Sequence, residues 1–211
     1  CNPYYRYGGN LSDEEREARL QSDTIAELVS YAIGCMMGRY SLNSEGLVYA
    51  NAGNKGAYVN KLDYVVLSAL EIDTKFNVNV ITGSDGVLRG APGGHPDTAA
   101  GSKCCIIVTP LTRGRMATVC KDVVTVTTPG DCVDVLVTDY GVAVNPARQD
   151  IIDCLDAAGI QHVSIESLQE KAYSLVGEPD PLQWEDKVVA IVEARDGTIL
   201  DVVRQVKPLV L

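Results

Sequence analysis

From Tyr64 onward the chain breaks into short apolar runs punctuated by glycine, proline and asparagine, the rhythm of strands separated by turns. Tyr64–Leu70 is an apolar run predicted as a strand buried on both faces. Asn77–Thr82 and Val87–Arg89 predict a hairpin across Ser84-Asp85-Gly86. Cys104–Val108, Val123–Thr127 and Val133–Thr138 predict three further strands, the last two separated by a Pro129-Gly130 turn. Asn145 followed by Pro146 predicts a helix N-cap with proline in the first turn. That helix carries Ile151, Ile152 and Leu155 and closes at Gly159. His162–Ile165 reads as a short strand, and Leu168, Ala172, Leu175 and Val176 mark a second helix ending at Gly177. Val188–Glu193 and Thr198–Val206 pair across Asp196-Gly197, a strong hairpin signal.

Before Tyr64 the period is helical. Thr24-Ile25-Ala26-Glu27 is a capping box, and Ile25, Leu28, Val29, Ala32, Ile33, Met36 and Met37 follow at helical spacing. Asn51-Ala52-Gly53-Asn54-Lys55-Gly56 reads as a junction. The expected organisation is an N-terminal appendage over residues 1–55, with one helix at about 24–38, and an α/β domain over 56–211.

Composition narrows the function classes. At 46% hydrophobic and 22% charged residues the chain is an ordinary globular protein, which excludes wholesale disorder. A formal net charge of −10 makes it a poor binder of phosphate backbones, so nucleic acid is not an expected partner. No apolar run reaches transmembrane length and no signal peptide is evident, and a cytoplasmic setting is expected. The chain opens on Cys1 rather than Met, so it is expected to be a piece of something longer. Seven cysteines include no CxxC pair, and with two histidines they do not suggest a metal site. They read as reduced, inert buried thiols.

The stretch with most chemical content is Gly90-Ala91-Pro92-Gly93-Gly94-His95-Pro96-Asp97, followed by Thr98-Ala99-Ala100-Gly101. Successive glycines expose backbone N–H groups, which can hold a carbonyl oxygen, carboxylate or phosphate, and a helix start at Asp97 adds a positive dipole end. The same residues also suit a tight structural turn capped by Asp97. No GxGxxG and no Gly-Lys-Ser/Thr is present, so the phosphate-binding motifs do not apply. His95 could donate to an oxyanion or make a structural hydrogen bond. Asn77 and Asn79, two apart on one strand face, could bind a polar ligand or face solvent. Arg113 and Arg115 could meet an anion or lie in a solvated loop. Glu71 beside Asp73 is a candidate catalytic carboxylate.

These residues carry a resemblance. From about Asn54 to Val206 the chain resembles the C-terminal region of citrate lyase alpha subunits, the citrate CoA-transferases. The resemblance runs through Asn54-Lys55-Gly56-Ala57, Leu67-Ser68-Ala69-Leu70-Glu71-Ile72-Asp73, Phe76-Asn77-Val78-Asn79-Val80 and the segment Gly93–Gly101. It continues through Val108–Arg115, Val124–Gly130, Val137–Pro146 and Asp196–Val206. It implies a CoA-transferase-like mixed sheet with flanking helices, plus the short helical appendage. The implied reaction exchanges acetyl for citrate on a CoA-like acyl-carrier thioester, with no covalently bound cofactor. The implied partners are citrate, the acetyl and citryl thioesters, and the acyl-carrier and beta subunits of a cytoplasmic citrate lyase complex. Gly93, Gly94 and His95 become the expected catalytic residues, and Asn77, Asn79, Gly90, Asp97 and Arg113 the expected substrate- or CoA-binding ones. The family's N-terminal CoA-transferase half has no counterpart here, so a lone chain is expected to be inactive.

The first fifty residues are similar instead to a C-terminal stretch of phage-defence (PglX-type) adenine DNA methyltransferases. The likeness includes Tyr5-Arg6-Tyr7-Gly8-Gly9, Ser22-Asp23-Thr24, the segment Glu27–Leu42 and Gly46-Leu47-Val48-Tyr49-Ala50. It brings no Asn-Pro-Pro-Tyr motif and no cofactor loop, so the alternative it offers is a methyltransferase fragment or a nucleic-acid-related interaction module. The chain therefore reads as a fusion of two segments.

Overall fold

The computed structural model describes residues 58–194 and 198–207. The helix expected at 24–38, the junction at 51–56 and the Asp196-Gly197 turn lie outside the described residues. The chain divides into two compact units, one holding residues up to Val65 together with Gly93–Cys104, the other holding Val66–Pro92 and Cys105–Leu211.

In the first unit a 3₁₀ turn, Tyr58–Lys61, and helix α1, His95–Gly101, pack around Val59, Leu62 and Ala99, all buried. Gly101 has no room for a side chain, because a Cβ there would lie 2.6 Å from the Val59 methyl. The Lys103 N–H donates to the Leu62 carbonyl at 3.0 Å.

The second unit is built on short strands. A four-stranded sheet has the order β1 (Tyr64–Leu67), β4 (Cys104–Val108), β8 (Val135–Thr138) and β9 (Gly141–Val144). β4 and β8 run parallel and β8 and β9 antiparallel, so the sheet is mixed. A three-stranded sheet has the order β3 (Val78–Asn79), β2 (Glu71–Asp73), β7 (Val119–Cys120). A small hairpin, β5 (Thr112–Arg113) with β6 (Met116–Ala117), lies between β4 and β7 in the chain. Ile107, Leu136, Ile72, Val78 and Val119 are fully buried in these sheets. Helix α2 (Gln149–Ala157) has no buried residue, whereas α3 (Ile165–Val176) buries Ile165, Leu168 and Ala172. A long antiparallel ribbon, β10 (Trp184–Glu193) and β11 (Ile199–Val206), completes the unit.

Several expected elements take a different form. β1 is a four-residue edge strand buried on one face only, with Tyr64 and Val66 more than half exposed. Val123–Thr127 is not a strand: its threonines bond sideways, Thr127 Oγ1 donating to the Val78 carbonyl at 2.9 Å and the Thr82 and Thr125 hydroxyls meeting at 3.0 Å. α2 begins at Gln149 rather than Pro146; the Asn145 Oδ1 accepts from the Ala147 N–H at 3.1 Å in a local turn, while its amide donates to the Gly130 and Val133 carbonyls at 3.1 and 2.8 Å. Arg148 stands at the helix start instead and pairs with Asp134 and Asp150 at 2.6 and 2.7 Å. His162–Ser164 is not a strand either, and Ser164 is the N-cap of α3, its hydroxyl accepting from the Ser167 N–H at 3.2 Å. Among the cysteines, Cys104, Cys105 and Cys120 are buried, but Cys154 is exposed on α2.

The turns at Gly159 and Gly177 adopt left-handed backbone, φ +69° and +87°, which ends each helix as the sequence implies. A different constraint acts at Gly130, where a Cβ would collide with the Lys75 carbonyl oxygen. Gly130→Ala should therefore cost about 2 kcal/mol or more, and Gly159→Ala, with open space around it, about 1 kcal/mol from φ alone. Urea unfolding of both variants checks the order, and equal losses would contradict the steric account.

Candidate functional site

The glycine-rich loop begins at Gly90 in the second unit and from Gly93 onward belongs to the first. Gly90 N–H donates to the Ile81 carbonyl at 3.3 Å, and its backbone lies against Val80 so closely that a Cβ would sit 2.7 Å from the Val80 oxygen. That contact needs glycine for space, not for a positive φ. Gly93 needs it for conformation, with φ +51° in open surroundings. Gly94 is the N-cap of α1, and its carbonyl accepts from the Thr98 N–H at 3.0 Å and the Thr98 hydroxyl at 2.9 Å. The helix starts at His95, not at Asp97 as expected; Asp97 sits in its first turn and no side chain caps it. His95 and Asp97 are both buried, at 8% exposure. Gly93, Gly94, His95 and Asp97 are thus one continuous turn and helix start in the first unit.

The remaining expected site residues sit apart from one another in the second unit. Asn77 lies beyond β2, its amide donating to Asp73 Oδ2 at 3.1 Å while its oxygen accepts from the Gly130 N–H at 2.9 Å. Asn79 is fully buried in β3, where its Oδ1 accepts from the Ile81 and Thr82 N–H groups at 3.0 and 3.1 Å and its amide donates to the Thr82 carbonyl. Both amides are committed to holding backbone. Arg113, on β5, donates from Nη2 to the Ala69 carbonyl at 2.9 Å and the Ser68 hydroxyl at 3.3 Å. Of these four residues only Gly90 lines the cavity of about 710 Å³ between the 81–92 segment and the β10–β11 ribbon. Its wall is mostly apolar, with Ile81, Leu88, Pro92, Trp184 and Val203 among its lining, and Arg204 and Glu193 supply charge. The sequence reading did not include this cavity. Leu88 and Trp184, the chain's single tryptophan, were its only local signal, and no period connects them.

Glu71 and Asp73 are buried side by side on β2. Burial pushes the Glu71 carboxyl above its ordinary value of 4.5, opposed by hydrogen bonds from Ser84. Its Oε1 accepts from the Ser84 N–H and hydroxyl, both at 2.6 Å, while Oε2 has no partner among the described residues. Burial likewise raises the Cys120 thiol on neighbouring β7. Among the described residues no cluster of three or more His, Cys, Asp or Glu could hold a metal, and no helix is long and apolar enough to cross a membrane.

The family model for the citrate lyase alpha subunit matches residues 31–206. This chain belongs to the citrate lyase alpha subunit family. It is 62% identical over 159 residues to the citrate lyase alpha chain of Escherichia coli K12, covering 75% of this chain and 31% of that protein. To the alpha chain of Klebsiella pneumoniae it is 60% identical over the same length. The chain spans about a third of the curated alpha chains it matches. Its fold is that of about a third of a citrate lyase alpha subunit, a CoA-transferase-like α/β fold. The putative alpha subunit of citrate lyase from Streptococcus mutans, solved in complex with citrate, superimposes with a TM-score of 0.74 at 52% identity, over 77% of this chain and 32% of that one. The family match begins upstream of Asn54, inside the segment read as foreign to it. A separate likeness, 58% over 55 residues, is to the adenine-specific methyltransferase BrxX of Escherichia coli O9:H4, covering 26% of this chain and 5% of that protein.

The raised Glu71 carboxyl gives a sign to the pH dependence of stability. A carboxyl that is harder to ionise when folded binds its proton more tightly in the folded state, so its contribution is fully present below the unfolded value of 4.5 and is lost as pH rises through the folded value. Glu71→Gln should remove that decline, leaving a variant that gains stability relative to the parent as pH climbs from 4.5. Denaturant midpoints across that range check it, and parallel pH curves for the two proteins would refute it.

Proposed function

We propose that this chain is the acyl-handling third of a citrate CoA-transferase, which exchanges acetyl for citrate on a CoA-like acyl-carrier thioester. The observation that carries the reading is the family match across 31–206, together with 52% identity to an alpha subunit solved with citrate. In this reading the glycine loop lies beside the thioester carbonyl. The left-handed turn at Gly93 and the absence of a side chain at Gly94 leave backbone N–H groups able to approach an oxygen that becomes negative as the carboxylate attacks. His95 sets the end of that turn and is a secondary candidate for donation to the same oxygen. Asp97 would orient the first turn of α1, while Asn77, Asn79 and Arg113 contribute by holding strands and loops of the second unit. The carrier thioester is substrate, not resident cofactor, and the working partners are the acyl-carrier and beta subunits in the cytoplasm.

Catalysis by proximity requires acyl donor and acceptor to be fixed together, and the chain represents about a third of the alpha chain. Purified 211-residue protein given acetyl-CoA and citrate should form no citryl-CoA above background; robust turnover would show that the remaining two thirds are dispensable. In the complete subunit, Gly94→Val should lower transfer by about a hundredfold, the scale of losing one oxyanion donor, with circular dichroism unchanged. His95→Ala should cost less. Full activity of Gly94→Val would make the loop a plain turn.

A further inference from the structure

β2 carries a carboxyl, Glu71, to which the proposed transfer reading assigns no role. Glu71 is fully buried, stands opposite Asn79 in the sheet, and leaves Oε2 unpartnered among the described residues. An apolar side chain of similar volume would fill that space without the cost of desolvating a carboxyl. What the carboxyl does is hold the tip of the 81–90 hairpin, through the two 2.6 Å bonds from Ser84. The tip is itself closed: Gly86 N–H donates to the Gly83 carbonyl at 2.8 Å, Gly83 N–H to the Val87 carbonyl at 3.2 Å, and Arg89 chelates the Asp85 carboxylate. At the base of the same hairpin, the Arg89 and Gly90 N–H groups both donate to the Ile81 carbonyl, at 2.7 and 3.3 Å. Hydrogen bonds at the tip and at the base of one hairpin, linked through its backbone, therefore connect Glu71 to Gly90, the residue from which the glycine loop departs.

We propose that Glu71 is a positioning residue: it anchors the Ser84 turn so that the hairpin delivers Gly90, and with it the entry of the glycine loop, in one fixed direction. The functional weight of this placement rests on the transfer reading above; the placement itself does not. The charged and titratable groups that bear on Glu71 are Asp85 and Arg89 from the hairpin, Cys120 from β7 and Tyr173 from α3. An ionised carboxylate accepts stronger hydrogen bonds than a neutral carboxyl, so the anchor changes strength when Glu71 titrates and the loop entry reports it.

Backbone amide NMR of the full chain, titrated from about pH 4 to 8, tests this with no transfer assay. In the parent, the Ser84, Arg89 and Gly90 amides should shift along one common titration curve. Glu71→Gln, which keeps the acceptor oxygen, should abolish that curve and hold the three signals near their low-pH positions. Ser84→Ala, which removes the hydroxyl donor and keeps the backbone N–H donor, should shrink the Gly90 response to the titration without abolishing it, and Glu71→Ala should speed exchange of the Gly90 amide about tenfold, the factor for losing one such hydrogen bond, with β4 and β8 amides unchanged. A Gly90 signal in Glu71→Gln that tracks the parent at every pH would overturn the proposal, and this variant decides it if Glu71→Ala does not fold. An inactive complete subunit with this coupling intact would count against the transfer reading alone.

Discussion

Two buried carboxylates on a three-residue strand organise much of the second unit. β2 reads Glu-Ile-Asp, and all three residues are buried. An isolated ionised carboxylate in such a place is untenable unless donors surround it. The neighbouring chain supplies them. Asp73 Oδ1 accepts from the Lys75 and Asn77 N–H groups at 2.8 and 2.9 Å, which curls residues 74–77 into a turn. That turn holds Phe76 at φ +64°, an unusual conformation for a bulky residue, with its ring buried at 2% exposure. Asn77 then passes the constraint on to Gly130, whose N–H donates to its side-chain oxygen. Glu71 does the same in the other direction, fixing Ser84. The strand thus sets the loops at both of its ends through side-chain carboxylates rather than through length.

The same substitution of side-chain for ladder bonding explains why so much of this unit is irregular yet well packed. Strands of two to four residues form few backbone pairs. Buried polar side chains take over the backbone groups that a longer sheet would satisfy. Asn79 holds the Ile81 and Thr82 amides, and Asp134 Oδ2 accepts the Cys105 N–H at 2.6 Å. In an acidic chain these carboxylates are not all surface solvation; several are internal fasteners.

The family relationship places this scaffold in context. An alpha-subunit relative with citrate bound shares the fold at 52% identity, while the chain spans about a third of the curated alpha chains. The apolar cavity beside Gly90 and the exposed Val189 and Ile191 of the ribbon leave apolar surface uncovered among the described residues.

Much of the fold was legible from local signals. Cys104–Val108 is a strand with the residues expected, because an apolar run between turn formers has few alternatives. The second helix closes at Gly177 and the ribbon pairs β10 with β11, since glycine in left-handed backbone and matched apolar runs are short-range effects. Motif density also sufficed to reach the family. Tertiary structure alone decided what the polar residues do. Asn145 turns the chain locally through the Ala147 N–H, as its position suggests, and its amide also clamps Gly130 and Val133, three-dimensional partners that no local signal announces. The threonines of Val123–Thr127 looked like strand formers and bond sideways to residues more than forty positions away. Glu71 meets Ser84 thirteen residues on, and the Gly90 cavity needs the ribbon more than ninety residues later. A sequence fixes each residue's donors, acceptors and local preferences, but a hydrogen bond is satisfied by whichever partner the folded chain brings within 3 Å, and that choice is made in three dimensions.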